Sequence, residues 1–312
     1  MRIDVHAHHV PADLIARLVA LGVRVNRKSE PSGPLRDEVA ELDASATDVR
    51  VIELGSPQPY LDVAARAVEA ARIANDLYAE AIAPLGGRFV AFGCVPLPHA
   101  EEAIAEAARC LDELSFAGLG VGCSVAGRPL DDPAFAPLWA ELDRRGAIVS
   151  LHPVATGIAM GGDYFIDAIA GMTAEDTVAG LRLVLSGLTD RHPRIRFIVP
   201  HLGGAIPFLW ERVEYQLDRA RERGVVALPS GAAQAGLRRL FYDTVNGSAA
   251  ALRCACDNLG TERILFGTDH PILDLARSLE YVEGAGLDTR IVADILDRNG
   301  QALLDLPVPR RP

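Results

Sequence analysis

Residues 2–9 read RIDVHAHH, a short run in which apolar and polar residues alternate and which ends in histidines. Alternation over this length predicts a β-strand, which we place at residues 2–6. The next residues, HAHHVP at 6–11, contain no glycine. An open doubly wound sheet favours a glycine-rich phosphate loop after its first strand, so the start of the chain favours a different α/β architecture.

Seven more apolar runs of similar length follow, and helix-like segments separate them. They lie at residues 49–54, 88–95, 117–121, 147–152, 195–201, 240–245 and 263–269. Strands that alternate with helices pair in parallel, and eight of them are the number that closes a barrel. The sequence therefore predicts an α/β fold, a (β/α)8 TIM barrel, with the open doubly wound sheet as the alternative.

The chain length agrees with a single domain. It has 312 residues, and α/β barrels of about 250 residues fold as one unit. The sequence shows neither an internal repeat nor a low-complexity linker. We expect one domain over residues 1–312, with an insertion at about 21–48 after the first strand; its part at 21–34 is rich in Gly, Pro and Ser.

Composition excludes several classes of function. The chain has 42 acidic and 31 basic residues and a net charge of −11, so it lacks the positive charge that binds nucleic acid. Its longest uncharged stretch, 146–162, has 17 residues, fewer than the ~20 apolar residues of a membrane span. No secretory signal is visible, and five cysteines favour reduced thiols. We expect a cytoplasmic protein without membrane or nucleic-acid partners.

Five polar groups stand at the carboxyl ends of predicted strands: His6, His8, His152, His201 and Asp269. Barrel enzymes build their active sites at this face. Residues i and i+2 of a strand point to the same side, so the first two histidines can face one point. One histidine at a strand end is usually structural, but four with a carboxylate predict a shared site for zinc or another divalent first-row ion.

The motifs that carry these residues resemble a known family. HxH follows the first strand, HP the fifth, HxGG the sixth and GTDHP the eighth. Together they are similar to the amidohydrolase superfamily, and most similar to its amidohydrolase-related branch. That branch includes aminocarboxymuconate-semialdehyde decarboxylase, γ-resorcylate and related aromatic-acid decarboxylases, and some hydratases. The resemblance extends from Ile3 to the closing RNGQALLDL at 298–306.

The resemblance implies one metal ion held by His6, His8, His152 and Asp269, with zinc expected and manganese as the alternative. It also implies that His201 acts as a catalytic base and that Asp269 takes part in proton transfer. The residues themselves favour a single ion. Members with two ions bridge them through a group such as a carboxylated lysine on the fourth strand, where this chain has no lysine; its one lysine is Lys28.

An arginine after the sixth strand is a candidate for binding substrate. Arg212 lies 11 residues after His201, and decarboxylases that this chain resembles use an arginine at this offset to bind a substrate carboxylate. The alternative is an exposed salt bridge with Glu211, Glu214 or Asp218. A second arginine of the semialdehyde decarboxylase has no counterpart in the segment DEVAELD at 37–43, which argues against that enzyme's own substrate.

Two long segments after ligand-bearing strands, 21–34 and 155–171, are predicted to cover the barrel mouth. The second contains Tyr164 and Phe165, which we expect to stack on a planar substrate. His270, next to the aspartate of GTDHP, is a candidate for the pocket wall.

Asp243 and Thr244 end the seventh strand. Two roles remain open for them: contact with the substrate, or connection of neighbouring parts of the barrel rim.

These features favour a metal-dependent, non-oxidative decarboxylase of a small aromatic or enolisable carboxylic acid. The alternatives are a metal-dependent hydrolase of a lactone, amide or ester, a hydratase, and a metal-binding barrel without catalysis. We also expect a homodimer, because related enzymes associate and because Phe208 and Trp210, close to Arg212, are large apolar residues that favour burial.

Overall fold

Eight parallel strands follow one another in sequence order around one sheet. The computed structural model describes residues 1–25, 31–154 and 163–306. The strands are β1 (Ile3–His8), β2 (Val49–Glu53), β3 (Phe89–Cys94), β4 (Gly118–Gly122), β5 (Ile148–His152), β6 (Arg196–Val199), β7 (Phe241–Asp243) and β8 (Ile264–Leu265). Two short strands, Ser124–Val125 and Arg128–Pro129, pair with each other in a separate antiparallel hairpin.

The sheet closes where the end of the chain meets its beginning. The backbone N–H of Val5 donates to the carbonyl of Phe266, and Ala7 forms a parallel bridge with His270. The predicted (β/α)8 TIM barrel is therefore confirmed. Strand ends differ from prediction: β1 continues to His8, and β8 is short because the chain after Leu265 turns to bond with β1.

Helices cover the outside of the barrel. They are α1 (Ala12–Leu21), α2 (Leu35–Ala44), α3 (Ala64–Ile82), α4 (Ala100–Ala108), α5 (Ala136–Arg145), α6 (Met172–Leu185), α7 (Leu188–Arg191), α8 (Trp210–Glu222), α9 (Ala232–Leu237), α10 (Ala249–Leu259), α11 (Leu275–Glu283), α12 (Thr289–Ala293) and α13 (Asn299–Leu304). Single turns of tighter or wider helix lie at Ala83–Leu85, Arg109–Glu113, Pro133–Phe135, Asp163–Phe165, Asp167–Gly171, His201–Gly203 and Asp294–Arg298. Within the described ranges, no helix has both the length and the hydropathy needed to cross a bilayer.

The interval expected as an insertion, 21–48, contains a helix. In α2, Leu35 and Leu42 are buried two turns apart against the main core, which anchors one face of the helix. On the same helix, Glu38 and Glu41 contact the guanidinium of Arg50, which is fully buried on β2. Apolar packing and ion pairing therefore attach α2 to the barrel wall.

A bulge in β1 decides which of its side chains face the barrel interior. Asp4 pairs with Arg50 and Ala7 with Ile52, so β1 has one more residue than β2 between these pairs. Such an extra residue changes the direction of the side chains around it. Val5 packs into the apolar cluster that also contains residues of β2, β5 and β6, and His6 beyond it also faces inward, at the carboxyl end of the barrel.

Candidate metal centre

The barrel brings together the five residues that the sequence placed at strand ends. Potential ligand atoms of His6, His152, His201 and Asp269 all lie within 4.8 Å of one another. His8 joins them, because its Nε2 lies 2.8 Å from Oδ1 of Asp269. These residues come from β1, the end of β5, and the segments after β6 and β8. Their convergence follows from the parallel order of the strands, whose carboxyl ends share one face.

Each of the four histidines presents Nε2 to this cluster, since its Nδ1 faces an oxygen acceptor. The pairs are His6 with Asp243 Oδ2 (2.6 Å), His8 with the Glu53 carbonyl (3.3 Å), His152 with the Pro153 carbonyl (2.9 Å) and His201 with Asp176 Oδ2 (2.8 Å). Carbonyl and carboxylate oxygens accept hydrogen bonds, so the ring proton belongs on Nδ1. In the neutral ring, this tautomer leaves the Nε2 lone pair available to a metal ion, whereas a ring that carries both protons donates a hydrogen bond from Nε2 instead.

Distances between the inward-facing atoms fit a shared cation. Nε2 of His6 lies 3.2 Å from Nε2 of His8 and 3.4 Å from Oδ1 of Asp269. These atoms carry lone pairs, which repel one another unless a proton or a cation lies between them. Imidazole nitrogens with a carboxylate oxygen are typical ligands of zinc and of other divalent first-row ions. The donor set therefore fits one divalent ion.

The electrostatic environment gives these groups different protonation states. Burial lowers the pKa of His152 well below its usual range, and the neighbouring histidines lower it further. Burial opposes ionisation of Asp269, yet hydrogen bonds from the surrounding imidazoles hold the pKa of its carboxyl well below the usual range. Burial also opposes the charged form of His201, but the Asp176 carboxylate raises the pKa of this imidazole to about 10. These surroundings thus favour the neutral form of His152, the ionised form of Asp269 and the protonated form of His201.

The backbone at His201 and Asp269 adopts the left-handed conformation, with φ of 55° and 58°. This region costs a residue other than glycine about 1–3 kcal/mol, so surrounding bonds must maintain it. The N–H of His201 donates to Oδ1 of Asp243, and the N–H of Asp269 donates to the carbonyl of His6. The two residues that the sequence assigned to proton transfer are therefore held by neighbouring parts of the site.

Three buried carboxylates belong to the site, and the sequence singled out one of them, Asp243, with two roles left open. Asp243 connects the ring of His6 with the backbone of His201, so of the two roles left open for it the contacts support connection of the rim. Asp176 lies inside α6, and nothing in the sequence of this helix indicates that its carboxylate contacts the site. Glu53 ends β2, and its place at a strand end was the signal that could have found it.

Arg212 lies on the first turn of α8 and is exposed. The expected alternative, a salt bridge with residues of its own helix, is absent from the described part of the chain: Glu214 and Asp218 contact Arg221 instead. In this single chain, Phe208 is 84% exposed in the turn before α8, and Trp210 is buried.

Tyr164 and Phe165 are exposed in the turn Asp163–Phe165. Residues 26–30 and 155–162, the central parts of the two expected lids, lie outside the described residues. The ring of His270 lies 3.6 Å from Glu38 and 3.9 Å from Glu41 of α2. Burial, together with the nearby charge of Arg50, lowers the pKa of His270 to about 4. Substrate contacts of these residues remain predictions.

Comparison with known proteins gives consistent matches. The chain is 27% identical over 242 residues to a 2-amino-3-carboxymuconate-6-semialdehyde decarboxylase from Dictyostelium discoideum, a match that covers 75% of this chain and 65% of that protein. It is 30% identical over 270 residues to a γ-resorcylate decarboxylase from Rhodococcus jostii (strain RHA1), covering 79% and 80% of the two chains. The crystal structure of 5-carboxyvanillate decarboxylase from Sphingomonas paucimobilis superimposes with a TM-score of 0.85 at 25% identity, over 98% of this chain and 99% of that one. A family model described as amidohydrolase matches residues 3–306, and the chain therefore belongs to the amidohydrolase family.

Proposed function

We propose that this protein is a metal-dependent decarboxylase that removes CO2 from a small aromatic carboxylic acid without oxidation. The observation that carries the proposal is the position of Asp269. Its Oδ1 faces the ligand histidines, whereas its Oδ2 lies 3.8 Å from Nε2 of His201. One carboxylate thus connects the metal cluster with a proton donor. The similarity to three decarboxylases supports this chemistry.

His6, His8, His152 and Asp269 would hold the ion. When bound, a divalent ion supplies positive charge that holds an acidic substrate and stabilises its electron-rich form. Three imidazoles and one carboxylate match the ligands that zinc prefers, and manganese is the alternative. Elemental analysis of the purified protein distinguishes the two and checks for one ion per chain.

The residues around the ion supply the proton. During decarboxylation the bond between the ring carbon and the carboxylate breaks, CO2 leaves, and the electron pair remains on the carbon. A proton must then replace CO2. His201 carries one at neutral pH because Asp176 raises its pKa to about 10, and Oδ2 of Asp269 is its neighbour towards the ion. His201 and Asp269 therefore deliver the proton to the substrate carbon.

We further propose that Arg212 binds a carboxylate of the substrate, that Tyr164 and Phe165 stack on its ring, and that His270 lines the pocket. The protein acts as a homodimer in the cytoplasm. Phe208 and Tyr215, which are 84% and 58% exposed beside and on α8, offer apolar surface for a second subunit. Sedimentation analysis tests the dimer.

A substrate screen tests the function. Metal-loaded protein is incubated with hydroxybenzoic acids, carboxylated methoxyphenols and unsaturated amino acids that carry an additional carboxylate. The masses of the products are determined by mass spectrometry, and the released CO2 is measured in parallel. We expect release of CO2 and a product whose mass is lower than that of the substrate by the mass of CO2. The Asp269→Asn variant should form neither. Gain of the elements of water without CO2, in one product or divided between two fragments, would instead identify a hydratase or hydrolase. Full metal occupancy without any turnover would indicate a non-catalytic barrel.

A further inference from the structure

A buried carboxylate next to the proposed metal centre has no evident counter-charge. Glu53, the last residue of β2, is only 1% exposed. Neither of its carboxylate oxygens has a well-formed hydrogen bond; the Ser150 hydroxyl is close by but does not reach normal geometry. Burying a carboxylate without donors or a cation is strongly unfavourable. In its charged form, Glu53 therefore requires a positive group beside it.

Arginine does not supply this charge. Arg50 lies three residues earlier on the same strand, but its side chain is on the outer side of the barrel and bonds to Asp4, Glu38 and Glu41. No ion pair of the described residues involves Glu53 and an arginine, consistent with its unpaired oxygens. The groups that do face Glu53 are histidines of the metal cluster.

Glu53 forms a second potential ligand group with His6 and His8, whose ligand atoms lie within 4.8 Å of one another. Strand register explains the contact, because Glu53 is paired with His8 across β1 and β2. The Nδ1 atoms of both histidines already face oxygen acceptors. Each ring therefore has only Nε2 to offer, and that nitrogen also faces Asp269. The ligand group with Asp269 and the ligand group with Glu53 use the same histidine nitrogens, so together they would bind one ion and not two.

The barrel also leaves room for this carboxylate. On β4, Gly120 faces Glu53, and a Cβ atom at this glycine would lie 2.9 Å from Oε2 of Glu53. Any larger residue at this position would therefore displace the carboxylate. The glycine, the strand register and the unpaired oxygens are three independent features that place the Glu53 carboxylate beside the proposed metal centre.

We propose that Glu53 is a fifth protein ligand of the divalent ion, an inference that rests on the metal centre proposed above. Two carboxylates, Glu53 and Asp269, then balance the charge of a divalent ion, and three imidazoles complete the protein's share. Five protein ligands with one position left for substrate form a six-coordinate sphere. That number suits manganese better than tetrahedral zinc.

The Glu53→Gln variant tests this ligand, since it removes the charge and keeps the size of the side chain. The affinities of the metal-free full-length protein for Mn2+ and Zn2+ are measured by competition with a chromophoric chelator. We expect the affinity for Mn2+ to fall about 100-fold or more, because even partners of ligands contribute about 10–100-fold, and the affinity for Zn2+ to fall less. The control is Glu106→Gln, another buried glutamate, which bonds to Asn75 and Arg109 and should leave both affinities unchanged.

The outcomes separate the two proposals. If the wild-type protein binds neither ion, the metal centre itself is wrong. If it binds them and Glu53→Gln binds both equally well, only the role of Glu53 is wrong. Should the variant fail to fold, a crystal structure of the manganese-loaded wild-type protein decides: a Glu53 oxygen bonded to the ion supports the proposal, and a carboxylate turned away from it overturns the proposal.

Discussion

At the scale of single residues, the site depends on carboxylates that contact its histidines rather than the ion. Asp243 fixes the tautomer of His6 through Nδ1 and also holds the backbone of His201. Asp176 accepts a hydrogen bond from Nδ1 of His201 and so orients that ring. Both are fully buried, so they act as fixed charges in a medium that screens little.

The substitution Asp243→Asn should weaken metal binding by about 10–100-fold, the usual effect of losing such a partner. An asparagine can present its NH2 group to Nδ1 of His6, which favours the tautomer whose Nε2 carries a proton and cannot bind a metal. Chelator competition measures the affinity, and circular dichroism checks the fold. Unchanged affinity in a folded variant would show that Asp243 does not orient His6.

The substitution His201→Asn should keep the metal and lose activity. We expect turnover to fall about 10²–10⁴-fold, the range for loss of a general acid or base, because the proton next to Asp269 is removed. Metal content by elemental analysis and turnover by CO2 release are measured on the same preparation. Wild-type turnover would exclude His201 from the mechanism, and loss of the metal would make it a ligand.

At the scale of elements, the carboxyl ends of the strands are what the sequence predicts best. Each strand that ends in a histidine or is followed by Asp269 was predicted, because a polar residue after a short apolar run can be recognised from the sequence alone, without knowledge of the neighbouring strands. The bulge in β1 was not, since it exists only relative to β2. The short β8 was not either, because Thr268 bonds to Asp4 where further strand pairing was expected.

The turn after β2 should control the position of His8. Gly55 has φ of +68°, and an added Cβ would lie 2.7 Å from Cε1 of His8. Gly55→Ala should therefore destabilise the fold by roughly 1–2 kcal/mol through backbone strain and also weaken metal binding. Gly127→Ala is the matched control: its φ is +79° with no atom within 4 Å, so it should cost similar stability in urea unfolding and leave metal affinity intact. Equal affinities in the two variants would contradict the steric role of Gly55.

Helix α8 should contribute a substrate contact through Arg212. A guanidinium makes paired bonds to a carboxylate that lysine cannot reproduce, so Arg212→Lys should raise KM or lower kcat while fold and metal content stay the same. Arg219→Lys, on the same helix, should not change the kinetics. If both variants behave like the wild-type protein, Arg212 is only a surface residue.

At the scale of the whole molecule, the sequence predicted the barrel and the residues that converge at its mouth. It did not predict Asp176 and Glu53 as parts of the site, and it left the role of Asp243 open, because the partners of these groups are far away in sequence: Asp243 and His6 are 237 residues apart. A helix carboxylate is normally a solvated group, and only the packed structure shows that Asp176 is fully buried. The substrate itself depends on side chains at the mouth of the barrel, and their contacts with it remain predictions.

The central claim is that this metal centre removes CO2 and that a solvent-exchangeable proton takes its place. Turnover of a hydroxybenzoic acid substrate by the metal-loaded protein in D2O tests it most directly, with the product followed by mass spectrometry and NMR. We expect a product that has lost CO2 and carries one deuterium at the carbon that held the carboxylate, formed only when the divalent ion is present. A product that retains its carboxylate and gains the elements of water, or CO2 loss that is unaffected by removing the metal, would contradict the account.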